Sequence, residues 1–333
     1  MIVHSKIRDY KVELIDDLSY LTNVLKKEEA FYVIDKKVYS LYFEVFKHIS
    51  EDKIFLLDAL EDGKTIDTVL QICDKLTEFN FKRNITLIVC GGGITQDIAG
   101  FVANILYRGV KWVLIPTTLL AACDSCIGGK TSLNYKKYKN LLGTFYPPNE
   151  IFICPEFFET LSQTDYNSGL GEIIKFNIMN GKESLKELQG FFENAKSNQS
   201  IKKLVEDALT LKKELIEADE FDLGQRVLLN FGHTFGHALE VSSQYEIPHG
   251  LAVALGILIA NHISLCRDMI TKENRDIMLS LVKKIINIPL KKAYFDFSTI
   301  IQAVRNDKKQ INDQIVAILL DNNFKLKVFN DIS

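Results

Sequence analysis

The chain has 333 residues, enough for two domains of ordinary size, and its 47% apolar and 25% charged residues are usual for a globular protein. A net charge of −3 excludes a general polyanion-binding surface, so local groups of lysines read as sites and not as a nucleic-acid face.

Residues 1–20 mix charges throughout and lack the apolar core of a signal peptide. Continuous apolar runs at 31–35, 53–57, 85–90, 111–115 and 151–154 predict strands. Amphipathic segments at 65–79 and 97–106 predict helices between them. Strand–helix alternation with strands apolar on both sides implies a parallel sheet covered on both faces. Asp35 ends the first of these strands, where an acidic residue can bind a ribose hydroxyl.

Gly91-Gly92-Gly93 follows the strongest strand and precedes Asp97 and a helix. Glycines there let backbone amides approach a pyrophosphate, and a helix N-terminus favours negative charge. A tight strand-to-helix turn is the simpler alternative. Pro116-Thr117-Thr118 follows another strand. In Asp124 to Lys130, Gly128 and Gly129 before the lysine allow amides and an ammonium to converge on one anion. Lys139 and Asn140 offer a further cation and amide, whereas Lys136 and Lys137 read as a solvated loop. The six cysteines are scattered, and Cys123 and Cys126 read as small buried residues with reduced thiols. That usage fits the cytoplasm.

Past residue 157 the pattern turns helical, at 184–195, 201–218, 233–245, 251–266 and 274–286. The expected domains are therefore 1–157, α/β, and 158–333, mainly helical. The longest apolar stretch, 251–260, reads as too short to span a bilayer. Residues 314–319 and 325–328 read as a hairpin around Asp321-Asn322-Asn323.

Glu172 and Lys175 lie three apart in a helical pattern and read either as a surface salt bridge or as part of a site. His233 and His237 are four apart, one face of a helix, and His249 follows the expected loop at Ile247-Pro248. A Glu/His/His set can hold zinc and leave a position for water or substrate. A bare HxxxH pair could also be packed histidines. With Asp124, Lys130, Lys139 and Asn140, the cluster suggests an enzyme handling a phosphorylated polar substrate beside a metal.

Taken together, Gly91-Gly92-Gly93 with Asp97, Arg108-Gly109, Pro116-Thr117-Thr118, Asp124-Ser125, Gly128-Gly129-Lys130-Thr131, Lys139-Asn140, Glu172 with Lys175, and Asn230 to His237 resemble the 3-dehydroquinate synthase family of sugar-phosphate cyclases. The resemblance runs from about Asp35 to Lys309. It implies an NAD-binding α/β domain, a helical metal-binding domain and an active site in the cleft between them. It also implies zinc, or cobalt, on Glu172, His233 and His249, with His237 as an acid–base or phosphate-contacting residue. NAD would meet Asp35, Glu61, Lys64, Gly92, Gly93, Asp97, Thr117, Thr118, Asp124, Lys139, Thr160 and Leu161. The phosphate would meet Lys130, Asn140, Asn230, His237 and one of Lys308 and Lys309, with Arg108 reaching it from a second subunit of a homodimer. Lys175 is counted among the catalytic residues. Lys212 and Arg226 match positions that hold a substrate carboxylate; the simpler alternative pairs both with the acidic turn at 219–222 on the surface.

The implied reaction converts 3-deoxy-arabino-heptulosonate 7-phosphate to 3-dehydroquinate and phosphate, a step of the shikimate pathway of aromatic amino acid biosynthesis. A cyclase for a non-carboxylated sugar phosphate and a metal-dependent polyol dehydrogenase are the alternatives. A small phosphorylated sugar acid is the expected partner, with no nucleic acid and no membrane. This chain departs from the family's usual pattern at Gln96, at Ala122-Cys123, at 135–138 and at Leu251.

Overall fold

A computed structural model describes residues 1–27, 29–78, 82–136, 138–194, 197–305 and 315–332, which fall into two compact units, Met1–Thr160 and Leu161–Ser333. The units divide at 160/161, against 157/158 read from the sequence.

In the first unit β1 (Ile2–Val3), β2 (Tyr10–Leu14), β3 (Ala30–Asp35), β4 (Ile54–Leu57), β5 (Thr86–Gly91), β6 (Lys111–Pro116) and β9 (Glu150–Ile153) form one sheet in the order β1-β2-β9-β6-β5-β3-β4. All pairings are parallel except β1 with β2. The strands β3, β5 and β6 are buried almost throughout, as their continuous apolar runs require. Helices α1 (Leu21–Val24), α2 (Lys36–Leu41), α3 (Phe43–Phe46), α4 (Ile66–Glu78) and α5 (Gly93–Ile105) join them. The helix predicted from 97 starts at Gly93, so Asp97 lies inside α5 and not ahead of it. Strands β7 (Lys130–Tyr135) and β8 (Tyr138–Phe145) form an antiparallel hairpin that the sequence did not suggest, with the solvated loop read at Lys136 as the turn between them. Tyr135, Lys136 and Tyr138 at its tip are exposed; Lys137 lies outside the described residues.

The second unit carries α6 (Gln163–Asn180), α7 (Lys182–Glu193), α8 (Asn198–Ala218), α9 (His233–Ser242), α10 (His249–Cys266), α11 (Lys272–Ile285) and α12 (Phe297–Arg305). The hairpin of β10 (Ile315–Leu320) and β11 (Leu326–Ile332) is antiparallel, as expected around 321–323. Helix α6 starts where Ser162 accepts the Asp165 amide, and α8 where Ser197 and Ser200 form a capping box. Helix α10 packs against α6, α9, α11 and β10. It is longer than the apolar stretch read at 251–260. By length and composition it could cross a membrane, because it holds no Asp, Glu, Lys or Arg, yet 61% of it is buried.

Candidate functional site

Three helices of the second unit cross at glycines. A Cβ on Gly171 would stand 2.0 Å from the Gly250 carbonyl oxygen, and one on Gly250 would stand 1.8 Å from that of Ser168. A Cβ on Gly256 would stand 2.1 Å from the Gly232 oxygen. Only the missing side chains let these backbones close. Glu172 follows Gly171, His249 precedes Gly250, and His233 follows Gly232, so the crossing brings their side chains together.

His249 Nε2 lies 3.4 Å and His233 Nε2 3.6 Å from Glu172 Oε1. Tetrahedral ligands about 2.0–2.1 Å from a zinc-sized ion stand roughly 3.3–3.4 Å apart. Glu172 is fully buried, and neither of its oxygens has a hydrogen-bond partner; its neighbours are charged groups, with Lys175 Nζ 2.5 Å from Oε2. A buried carboxylate facing two imidazole nitrogens at this spacing fits a divalent cation. Three helices supply the set, since His249, read as following a loop and lying ahead of the helix expected from 251, is the first residue of α10. The Glu172–Lys175 pair is likewise interior, not a surface bridge: Lys175 is 1% exposed.

Burial opposes the charge on Glu172, but the Lys175 ammonium and His249 outweigh it and hold the carboxyl down at about 2. Burial also opposes a charge on His249, yet the facing carboxylates of Glu172 and Glu240 carry its imidazole up to about 10. Each imidazole is fixed from behind: His233 Nδ1 lies 3.2 Å from the Phe231 carbonyl oxygen, and His249 Nδ1 lies 3.2 Å from Glu240 Oε2. His237, one turn beyond His233, has its ring 5.3 Å from His233 and 5.9 Å from His249.

Lys212 on α8 and Arg226 in the turn Gln225–Asn230 are both buried, so neither lies on the surface, although Arg226 does meet the acidic turn at 219–222. Asp219 builds that turn by accepting the amides of Leu223, Gly224 and Arg226 at 2.9, 2.7 and 3.0 Å. The Arg226 guanidinium donates to the Glu220 carbonyl oxygen. Asn230 ends the turn, half-buried.

In the first unit, Asp35, Gly92 and Thr117 emerge beside one another at the carboxyl ends of β3, β5 and β6, where open α/β sheets bind ligands. Gly92 caps α5, and Gly93 is its first residue. A Cβ on Gly92 would press to 2.9 Å from Thr118 Cγ2. Asp35 Oδ1 accepts the amides of Lys37 and Val38 at 2.8 and 3.3 Å. Glu61, Lys64, Asp97, Lys139 and Asn140 belong to one network. Buried Lys64 pairs with Asp97 and donates to Asn140 Oδ1 at 2.7 Å. Asp97 accepts from Ser132 N and Oγ at 3.1 and 2.9 Å. Burial pushes its carboxyl upward against the pull of Lys64. Glu61 accepts from Asn134 Nδ2 at 2.8 Å and faces Lys139 Nζ at 3.6 Å.

Asp124 lies in the turn Ala121–Ser125. The anion cradle expected at 128–130 is altered, because β2 brings Tyr10 there and its hydroxyl accepts the Gly128 amide at 2.9 Å. Lys130 is exposed at the start of β7. Arg108 is exposed in a turn where Tyr107, Arg108 and Gly109 have φ of 50°, 63° and 117°. Thr160 is exposed and ends the first unit; half-buried Leu161 begins the second. Lys308 and Lys309 lie outside the described residues.

Two sequence profiles cover most of the chain: 3-dehydroquinate synthase N-terminal over residues 54–168, and 3-dehydroquinate synthase C-terminal over 169–310. A Clostridium tetani protein named 3-dehydroquinate synthase is 38% identical over 323 residues, 96% of this chain and 83% of its own. One of the same name from Streptococcus pyogenes serotype M6 is 32% identical over 326 residues, 95% of this chain and 91% of its own. The chain belongs to the 3-dehydroquinate synthase family.

Solved structures agree on the fold. A 2-deoxy-scyllo-inosose synthase complexed with carbaglucose-6-phosphate, NAD⁺ and Co²⁺ has a TM-score of 0.85 at 24% identity, covering 99% of this chain and 94% of that one. A 2-epi-5-epi-valiolone synthase from Streptomyces hygroscopicus subsp. jinggangensis, with NAD⁺ and Zn²⁺ bound, has a TM-score of 0.86 at 24% identity, covering 100% and 96%.

Within this family frame the structure gives contacts to two residues for which the sequence suggested no role. Glu240 meets His249; its signal was its place seven residues after His233, on the same helix face as His233 and His237. Gln96 is buried. It donates from Nε2 to the Ser125 carbonyl oxygen at 2.7 Å and accepts from Ser125 Oγ at 2.9 Å. It thereby ties α5 to the turn that holds Asp124.

Proposed function

We propose that the chain is a 3-dehydroquinate synthase, an NAD- and divalent-metal-dependent lyase acting on 3-deoxy-arabino-heptulosonate 7-phosphate. The observation that carries the reading is the set of buried Glu172 and His233 with partly exposed His249 at ligand spacing, in a unit that also buries Lys212 and Arg226. Glu172, His233 and His249 would hold zinc or cobalt. The carboxyl ends of β3, β5 and β6 would hold NAD. When bound, the ion polarises a substrate hydroxyl, and NAD⁺ takes up and returns a hydride, so no net redox change results.

The residues supply the rest. Lys212 and Arg226 grip the substrate carboxylate, the guanidinium through two parallel hydrogen bonds. Asn230 and His237 meet the phosphate, and His237 can move a proton at a ring nitrogen. Lys175 keeps Glu172 ionised. A cytoplasmic homodimer is part of the proposal.

The test is incubation with NAD⁺, zinc and the heptulosonate phosphate. Phosphate and a carbocycle should appear in equal amounts with no accumulating NADH. Stoichiometric NADH would place the chain among dehydrogenases. Arg226→Ala should lower kcat/KM about ten- to a hundredfold, the worth of a charged hydrogen-bonded contact of roughly 1.5–3 kcal/mol, with zinc and NAD⁺ binding intact. Wild-type rates from that variant would remove the carboxylate role.

Metal affinity should depend on pH with a definite sign. In the metal-free protein His249 keeps its proton up to about pH 10 and must release it to act as a ligand, while Glu172 stays ionised down to about pH 2. Affinity should therefore rise about tenfold per pH unit between neutrality and pH 9, with one proton released per ion. Calorimetry in buffers of differing ionisation enthalpy checks this; no proton release would exclude His249. The same raised pKa stabilises the metal-free fold fully below the ordinary imidazole value, and that gain fades as pH climbs through about 10.

A further inference from the structure

Glu240 shares one face of α9 with His233 and His237. Its side chain is 15% exposed, and Oε2 stands 3.2 Å from His249 Nδ1. A neutral imidazole has one N–H and one lone pair. If Nδ1–H is given to Glu240, the lone pair sits on Nε2, which lies 3.4 Å from Glu172 Oε1. His233 is oriented differently, by the backbone carbonyl of Phe231, which no side-chain substitution removes. The aim of His249 therefore depends on a side chain that can be replaced.

We propose that Glu240 is a positioning residue that sets the tautomer and ring direction of His249 without itself binding the ion, an assignment that rests on the metal reading above. The rival is a ligand set of His237, Glu240 and His249, whose donor atoms also lie within 4.8 Å of one another. That set needs the lone pair of His249 on Nδ1 and turns its N–H toward Glu172. Glu172 is the fully buried carboxylate without a hydrogen-bond partner, whereas Glu240 is partly exposed and already meets Nδ1. The cation thus belongs on the Glu172 side.

The test strips the full-length protein of metal and titrates zinc against a chromophoric chelator, for wild type, Glu240→Ala, Glu240→Gln and Glu240→Asp. Cobalt ligand-field spectra and melting of the metal-free proteins are read in parallel. The wild type should bind one equivalent. Glu240→Ala should bind roughly 10–100-fold more weakly, the usual effect of losing such a partner, with a shifted cobalt band. Glu240→Gln, whose amide oxygen still accepts Nδ1–H, should recover most of the affinity. Should the alanine variant fail to fold, the contrast of glutamine, which keeps the reach, with aspartate, which keeps the charge but loses the reach, carries the test. Wild-type affinity and spectrum in Glu240→Ala, or in Glu240→Asp, would overturn the proposal and leave the metal reading standing. Two equivalents in the wild type, with one lost in both the alanine and glutamine variants, would make Glu240 a ligand and overturn it too. No zinc on the wild type would overturn both readings together.

Discussion

Glu172→Gln is expected to empty the metal centre, to lower kcat/KM by more than about a hundredfold, and to lower the melting temperature of the metal-free protein as well. The amide keeps the shape of the side chain and removes its charge. One loss is the anionic donor facing His233 and His249. The other is the carboxylate beside Lys175, whose ammonium lies in an interior site. Breaking a buried ion pair from one side costs about 3–5 kcal/mol, against roughly 0–1 kcal/mol for a surface pair. A second substitution separates the two losses. Glu172→Gln with Lys175→Met removes the stranded charge and should regain most of the melting temperature, but neither zinc nor turnover. Zinc bound by Glu172→Gln as tightly as by the wild type would end the ligand assignment. A double variant no more stable than the single one would end the buried-pair argument.

Gly250→Ala should strike the fold and the site at once. The new Cβ would lie 1.8 Å from the Ser168 carbonyl oxygen, and no rotation of a side chain can relieve a clash with backbone. Overpacking costs about 1–3 kcal/mol and more when the backbone must move. At roughly 2–4 °C per kcal/mol for a unit of this size, melting should fall by roughly 5–10 °C. The shift separates α6 from α10, and with them Glu172 from His249, so zinc affinity should fall in the same variant. Gly190→Ala on α7 is the control, because its Cβ would meet only Asn194 Nδ2 at 3.9 Å. A helical Gly-to-Ala exchange without a clash is stabilising by roughly 0.5–1 kcal/mol. If both variants melt like the wild type, close approach at Gly250 is not what builds the crossing.

The parts that the sequence made legible are those where burial leaves a pattern. The strands β3, β5, β6 and β9 were readable because parallel strands covered on both faces are written as unbroken apolar runs, and the edge strand β4 because its run stays apolar although Leu56 is exposed. The β7–β8 hairpin was not, because its exposed side chains at Tyr135, Lys136, Tyr138 and Asn140 look like loop. Helix α6 escaped full assignment for the opposite reason. From Asn167 to Ile178 every residue is buried, so no polar face contrasts with an apolar one. Glu172, His233, His237 and His249 could be picked out from their types and spacing, and the proposed ligand set from the family resemblance, but their convergence rests on glycine contacts between helices distant in sequence, which no local pattern records. Glu240 was missed because a glutamate on an amphipathic helix is usually a solvated one.

Helix α10 sets an order on the making of the second unit. It holds no Asp, Glu, Lys or Arg and is apolar over most of its length, and its neighbours are α6 and α9 on one side of it in the chain and α11 and β10 on the other. During synthesis the first pair is already available when α10 forms, but the second pair is not. The Leu320 amide reaches the Ser264 hydroxyl only when β10 has been made. Until then a hydrocarbon-like rod is half-wrapped, and a chain cut short after Cys266 would carry it permanently uncovered. Helix α11 and strand β10 therefore close the core against α10, and chaperone demand should peak as they are being synthesised.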